Sequence, residues 1–276
     1  MIKKAKLKLQ NAEIGVGTTT SARSKHRILI AEDHVINQEV LKAILRQYGY
    51  EFTVVDNGQE VIELLAQQAF DVILMDMQMP VMDGCQAARE IRKREEITGG
   101  HIRIIAITAN AMKQDRDICL AAGMDDYITK PIEAQILIEK LDWNGLHGIK
   151  NTPVEKQPLS TASTSVFNSD SLKGRVLGQS IPSTKMAHMF LKDLPITLAN
   201  FEQALSTNDI SEIAKLAHRM SGAAAMMGAE QLALIAEELE ADARVGAIKT
   251  LPGLVAKMHL ASIPLKEKLL QFVIQN

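Results

Sequence analysis

Asp76 ends the apolar run Val72-Ile73-Leu74-Met75, and the acids Glu32 and Asp33 end another, Ile28-Leu29-Ile30-Ala31. Thr108 closes a third run, Ile104–Ile107, and Lys130 lies just past Tyr127-Ile128. Three carboxylates brought together repel one another unless a cation sits among them. A set of hard oxygen donors favours Mg2+, which keeps several waters and accepts phosphate oxygens. A lysine in the same place suits an incoming phosphoryl oxygen, and the Thr108 hydroxyl adds a hydrogen bond to another. Phosphoryl transfer needs little beyond such positioning, charge neutralisation and an in-line nucleophile. Asp76 is the natural nucleophile. Singly these residues say little, since an acidic pair after a strand is most often a helix cap. The joint pattern carries the reading.

A second constellation surrounds His218 in Leu216-Ala217-His218-Arg219-Met220-Ser221-Gly222-Ala223-Ala224-Ala225. A lone helical histidine is usually structural, and His188 and His259 are read that way. Gly222, four residues after His218, lies one turn along the same face. Glycine there costs a helix about 1 kcal/mol relative to alanine, so something must offset it. A bare backbone beside an exposed imidazole would let a partner's active site come close. The alanines keep the neighbourhood shallow, and Lys215 and Arg219 are near enough to favour a phosphate.

The first constellation can assemble only if its apolar runs share one sheet. Ile28–Ala31, Phe52–Val55, Val72–Met75, Ile104–Ile107 and Tyr127-Ile128 read as short buried strands. Helical patterns at Gln38–Gln47, Gln59–Gln67, Gln86–Arg94 and Lys113–Ala122 lie between them. Alternation of this kind predicts a doubly wound five-stranded parallel sheet with helices on both faces. The carboxyl ends of such strands share one edge, where ligands bind. Beyond residue 146 the texture changes. Residues 147–169 are polar and rich in Ser and Thr, a linker pattern. From Ser183 onward only helical stripes remain: Met186–Leu194, Pro195–Leu205, Ile210–Met227, Ala229–Val245 and Leu254–Val273. Short connections between them predict an antiparallel helical bundle. The expected organisation is a tail over 1–25, an α/β domain over 26–146, a linker over 147–169 and an all-α bundle over 170–276.

Bulk properties exclude several classes. The chain has 276 residues, 46% of them apolar and 23% charged, with a net charge of −2, the profile of globular domains with real cores. Cys85 and Cys119 are too few for a disulfide framework and read as reduced thiols of a cytoplasmic protein. No apolar run approaches the roughly 18–20 residues of a membrane span. The start carries Lys3, Lys4, Lys6 and Lys8 but no apolar stretch behind them, so it is not a signal peptide. DNA binding would need a basic recognition helix in the C-terminal half. Ala229–Val245 instead carries Glu230, Glu237, Glu238, Glu240 and Asp242 against Arg244, the wrong sign for nucleic acid.

Ala31-Glu32-Asp33, Leu74-Met75-Asp76-Met77-Gln78-Met79-Pro80-Val81-Met82-Asp83-Gly84, Ile107-Thr108-Ala109-Asn110-Ala111 and Tyr127-Ile128-Thr129-Lys130-Pro131 resemble the response-regulator receiver domain, a flavodoxin-like fold. The resemblance runs from about Arg27 to Leu141. It implies that Glu32 and Asp33 hold Mg2+ together with Asp76 and the backbone carbonyl of Gln78. It also implies a cis Lys130–Pro131 bond, available because residue 131 is proline, and an aromatic switch at Tyr127 acting with Thr108. Asn37-Gln38 and the Met-Pro-Val-Met-Asp-Gly loop look most like receivers attached to hybrid sensor kinases. Phe167–Val273 resembles the histidine phosphotransfer (Hpt) domain, with His218 as phosphoacceptor. One residue departs from that family, which often has lysine three positions after the histidine, where this chain has Ser221.

The two resemblances together imply a bacterial two-component phosphorelay protein. Asp76 would accept a phosphoryl group from a sensor histidine kinase and exchange it with His218, which passes it to or from a downstream response regulator receiver. The receiver would phosphorylate and dephosphorylate itself, and with no Gly-rich ATP site the chain would not use ATP. The alternative is a single-step response regulator whose helical domain is an interaction or output module.

Overall fold

The computed structural model describes residues 26–108, 113–142, 165–170, 172 and 183–276. Five strands, β1 (Arg27–Ala31), β2 (Glu51–Val55), β3 (Val72–Asp76), β4 (Arg103–Thr108) and β5 (Asp126–Thr129), form one sheet in the order β2-β1-β3-β4-β5. Every neighbouring pair is parallel. The helices between and after them are α1 (Val35–Gln47), α2 (Gly58–Leu65), α3 (Gly84–Thr98), α4 (Lys113–Ala121) and α5 (Ala134–Leu141). Successive side chains of a strand point to opposite faces, and the two cores divide accordingly. Ile28, Ile30, Leu74, Ile105 and Ile107 pack on one face with α1 and α5, while Leu29, Ala31, Ile73, Met75, Ile104 and Ala106 pack on the other with α2 and α3. A sheet buried on both faces explains why its strands are continuous apolar runs rather than alternating ones.

Beyond residue 182 the described residues form the helices α6 (Ser183–Ser206), α7 (Ile210–Met226), α8 (Glu230–Arg244) and α9 (Leu251–Gln275). The expectation of separate helices over Met186–Leu194 and Pro195–Leu205 is corrected, because they are one helix. Proline removes one backbone hydrogen bond and bends a helix, yet α6 runs through Pro195 because its buried stripe continues across it at Phe190, Leu194, Leu198 and Phe201. Asp209 and Gly228 set the ends of α7. The Asp209 side chain caps the N-terminus by accepting from the Glu212 N–H, and Gly228 takes the positive φ of 70° that a turn into α8 requires.

The linker expectation over 147–169 is also shortened at its C-terminal end. Phe167 meets Phe272 edge-to-face at 5.5 Å, and the Asn168 N–H donates to the Gly228 carbonyl at 2.9 Å. Residues 165–169 are therefore packed on the bundle. The tail over 1–25, most of the linker, and Ala109, Asn110 and Ala111 lie outside the described residues.

The core of the α1 face continues into the bundle without interruption. Helix α1 packs against both α6 and α7, and the Ile132 N–H points at the Met226 sulfur at 3.4 Å. The edge of the sheet where the strands end is thereby covered by the bundle's own helices.

Candidate functional site

The carboxyl ends of β1, β3, β4 and β5 bring Glu32, Asp33, Asp76, Thr108 and Lys130 together, as their positions after the apolar runs predicted. Glu32, Asp76, Thr108 and Lys130 are all buried. Lys130 Nζ donates to Asp76 Oδ2 at 2.7 Å and pairs with Glu32 Oε2 at 2.9 Å. The Lys130–Pro131 bond is cis. Glu32 Oε1 accepts from the Asn37 side-chain amide at 2.9 Å and from the His34 N–H at 3.2 Å. The Gln78 N–H donates to Asp76 Oδ1 at 3.3 Å. The chain then turns back tightly into α3. A Cβ on Gly84 would stand 2.1 Å from the Asp76 carbonyl oxygen, so only glycine fits that step.

The charges are unevenly matched. Burial alone would raise the Asp76 carboxyl, but the Lys130 ammonium and the His218 ring together outweigh burial and hold it well below the usual carboxylate range. Glu32 goes the other way, pushed up by burial and by the Asp76 charge despite Lys130. Asp33 is raised for the same two reasons, with Arg219 opposing. One ligand oxygen from each of Glu32, Asp33 and Asp76 lies within 4.8 Å of the others, and Asp33 Oδ1 is buried with no hydrogen-bond partner. An all-oxygen set with surplus negative charge and an unsatisfied buried oxygen fits a hard divalent cation.

His218 sits on α7 and faces this cluster. The expectation of an exposed imidazole is corrected: the ring is 5% exposed, because the chain's own α/β domain covers it. Its Nε2 lies 3.8 Å from Asp76 Oδ1, a distance of electrostatic contact rather than a hydrogen bond. Its Nδ1 lies 3.2 Å from both oxygens of Glu240 on α8. Burial disfavours the imidazolium, but the carboxylates of Asp76 and Glu240 on either side outweigh it and hold the pKa up to about 9.

Gly222 does what its cost in a helix suggested. A Cβ there would lie 3.3 Å from Lys130 Cδ and 3.4 Å from Asn37 Nδ2, so the missing side chain is the space into which the sheet edge fits. Arg219 Nη1 reaches Asp33 Oδ2 at 3.5 Å. Lys215 is exposed and forms no ion pair with any described residue. Ser221 is buried, its hydroxyl 3.4 Å from Glu237 Oε1. Tyr127 is half-buried on the other core, with the Arg116 and Lys140 cations 5.9 and 5.7 Å from its ring centre.

Reading the sequence missed the residues that join the two halves. Glu240 entered only as part of an acidic helix, Gln78 only for its carbonyl, and the pair His34–Asp193 (3.5 Å) not at all. For Glu240 a signal existed. His218 lies ten residues before the turn at Gly228 and Glu240 twelve after it, so two antiparallel helices folded at that turn set the two side by side.

The two folds define a class of protein, one that joins a receiver to a histidine phosphotransfer domain of two-component phosphorelays. Residues 28–142 belong to the response regulator receiver domain family and residues 185–271 to the Hpt domain family. The Hpt match favours a transfer domain over an interaction module. Relatives that span both halves are sensor kinases. The chain is 32% identical to the sensor histidine kinase GacS of Pseudomonas protegens over 78% of its own length and 24% of that protein's. It is 26% identical to the virulence sensor BvgS of Bordetella parapertussis over 98% of its own length and 22% of that protein's. The chain thus spans about a quarter or less of these relatives. Among solved structures, it resembles the magnesium-bound receiver domain of the Pseudomonas aeruginosa sensor kinase PA1611, with 43% identity, a TM-score of 0.39 and coverage of 43% of this chain and 95% of that one. Among the described residues no helix is long and apolar enough to cross a membrane.

Proposed function

We propose that this chain carries phosphoryl groups between Asp76 and His218, receiving them from a sensor histidine kinase and exchanging them with a downstream receiver. One observation carries the reading: the imidazole Nε2 and the Asp76 carboxylate face each other at 3.8 Å in a buried seam between the two domains. In the forward step Nε2 attacks the phosphorus in line. The P–N bond forms as the P–O bond to Asp76 breaks, and the electron pair returns to the Asp76 carboxylate. Attack needs the Nε2 lone pair, so it starts from the ring that has given up its Nε2 proton to solvent, and the hydrogen that remains belongs on Nδ1, where Glu240 accepts it. As Nε2 bonds to phosphorus the ring becomes positive, and the same carboxylate stabilises it. Lys130, the Thr108 hydroxyl and Arg219 are the groups that hold the oxygens of the moving phosphoryl group.

Mg2+ held by Glu32, Asp33, Asp76 and the Gln78 carbonyl would neutralise charge on those oxygens. With Mg2+ present, Asp33 gains a partner that competes with Arg219. Tyr127 acts with Thr108 as the conformational reporter of Asp76 phosphorylation. The reading places the chain in a bacterial cytoplasm, in keeping with its free thiols. Onward delivery requires the receiver to leave, because His218 lies beneath it.

The test loads the intact chain with acetyl phosphate and Mg2+, alongside Asp76→Ala and His218→Ala variants. Acyl and imidazole phosphates are separated by their opposite acid and base stability. Label on His218 that depends on Asp76 supports the relay. Label on Asp76 that never reaches His218 would reduce the chain to a single-step receiver.

A further inference from the structure

Glu240, on the acidic helix α8, faces the seam between the domains. It is 7% exposed, and its carboxylate has three donors around it. Arg244 Nη2 lies 2.5 Å from Oε1, the side-chain amide of Gln78 donates to Oε1 at 3.1 Å, and His218 Nδ1 lies 3.2 Å away. Gln78 belongs to the receiver, two residues past Asp76. Glu237, one turn earlier on α8, reaches Ser221 instead.

An ionised carboxylate only accepts hydrogen bonds, so each neighbour of Glu240 must be a donor. A neutral imidazole meets that demand with its hydrogen on Nδ1, which leaves the lone pair on Nε2 towards Asp76. The receiver meets it with an amide. The group that orients the acceptor ring is therefore itself held by the receiver side chain two positions past the phosphoacceptor.

We propose that Gln78 and Glu240 are a partner-reading pair. Glu240 is a positioning residue that ties the orientation of His218 to whether the docked receiver presents a hydrogen-bond donor at that position. The inference rests on transfer between Asp76 and His218 and adds to it a rule of selection. A receiver with an amide or a cation there is accepted. One with Asp or Glu sets two carboxylates against each other in a buried seam and turns Glu240 away from the ring. An aliphatic side chain leaves one acceptor site empty and lies between these cases.

The experiment is a double-mutant cycle in the full chain with Gln78→Glu, Glu240→Gln and the two combined. Asp76 is loaded with acetyl phosphate, and transfer to His218 is followed in a single turnover as a fraction of loaded chains, so any change in loading drops out. Gln78→Glu is expected to slow transfer about 100-fold, the scale of a buried like-charge contact that displaces a reacting group. Glu240→Gln is expected to slow it about tenfold. The exchanged pair can still bond: the amide introduced on α8 donates to the carboxylate introduced on the receiver, and its carbonyl accepts from Nδ1. The double variant should therefore transfer at least about tenfold faster than Gln78→Glu alone. The 15N shifts of the His218 ring, recorded on Mg2+-loaded chain at a pH where the ring is neutral, supply a second readout, with the Nδ1–H form in the parent and the exchanged pair and a mixed form in Gln78→Glu. A double variant as slow as the product of the two single effects, with ring tautomers that ignore residue 78, would overturn the pair. Wild-type chain that loads Asp76 but never labels His218 would overturn the relay instead, and the ring shifts would still decide whether the pair exists.

Discussion

The aspartate and histidine centres are built in opposite ways. Asp76 sits in a cluster drawn from four strand ends, positions 32 to 130, and Lys130 donates to it at 2.7 Å. His218 stands on one helix and is supported by the next, and the other centre lies over it. A site assembled from distant strand ends is complete in its own domain. One carried on a helix face is half a site, finished by whatever docks there. The difference teaches where selectivity resides. In the proposed relay the aspartate centre carries its own acceptor, metal ligands and lysine, whereas the histidine centre works only against a surface that fits Gly222 and Glu240.

The contrast is tested most severely at Gly222. Gly222→Leu should make α7 more stable as a helix, by about 0.8 kcal/mol from propensity. It should also slow transfer from Asp76 by about 100-fold, because the sheet edge is pushed back from the imidazole. Thermal melts and single-turnover transfer measured on the same variant check the two opposite signs. A variant that transfers normally would mean that the close approach of Lys130 and Asn37 does not matter.

A pH series sharpens the comparison. The pKa of His218 is raised to about 9, part of it by Asp76 across the seam. A raised pKa favours the docked form below the ordinary histidine value of about 6.5, and that contribution is lost as pH rises through about 9. Metal-free chain should therefore open between pH 7 and pH 10, followed by amide shifts at α1 and α7. Opening on acidification over that range would contradict it. The smallest effect belongs to the rim. His34–Asp193 at 3.5 Å is part-exposed, so Asp193→Ala should weaken docking by about 1 kcal/mol or less. Lys185, with its side chain 59% exposed at 3.7 Å from Glu39, should give no measurable change when replaced by alanine.

The two centres also differed in how far the sequence revealed them. Glu32, Asp33, Asp76, Thr108 and Lys130 follow apolar strands, so the rule that strand ends converge places them without any knowledge of packing. His218 was legible from Gly222, because an unexplained glycine in a helix asks for a close neighbour. The identity of that neighbour was not legible. Docking of the sheet edge onto α7 depends on shape across a seam between residues more than 80 positions apart, such as Lys130 and Gly222, and no periodicity encodes it. Pro195 shows the reverse failure. Two stripes that meet at Pro195 read as separate helices, and the buried face of α6 runs through both.

The central claim is that the receiver delivers its phosphoryl group to the bundle of the same chain. The most direct measurement is the rate of transfer from Asp76 to His218 over a wide dilution series, using chains loaded with acetyl phosphate in the presence of Mg2+. The docked arrangement predicts first-order transfer with a rate independent of protein concentration, and little transfer in trans when Asp76→Ala chains are mixed with loaded His218→Ala chains at low concentration. A rate that falls in proportion to dilution, with the mixture as fast as wild type, would contradict it.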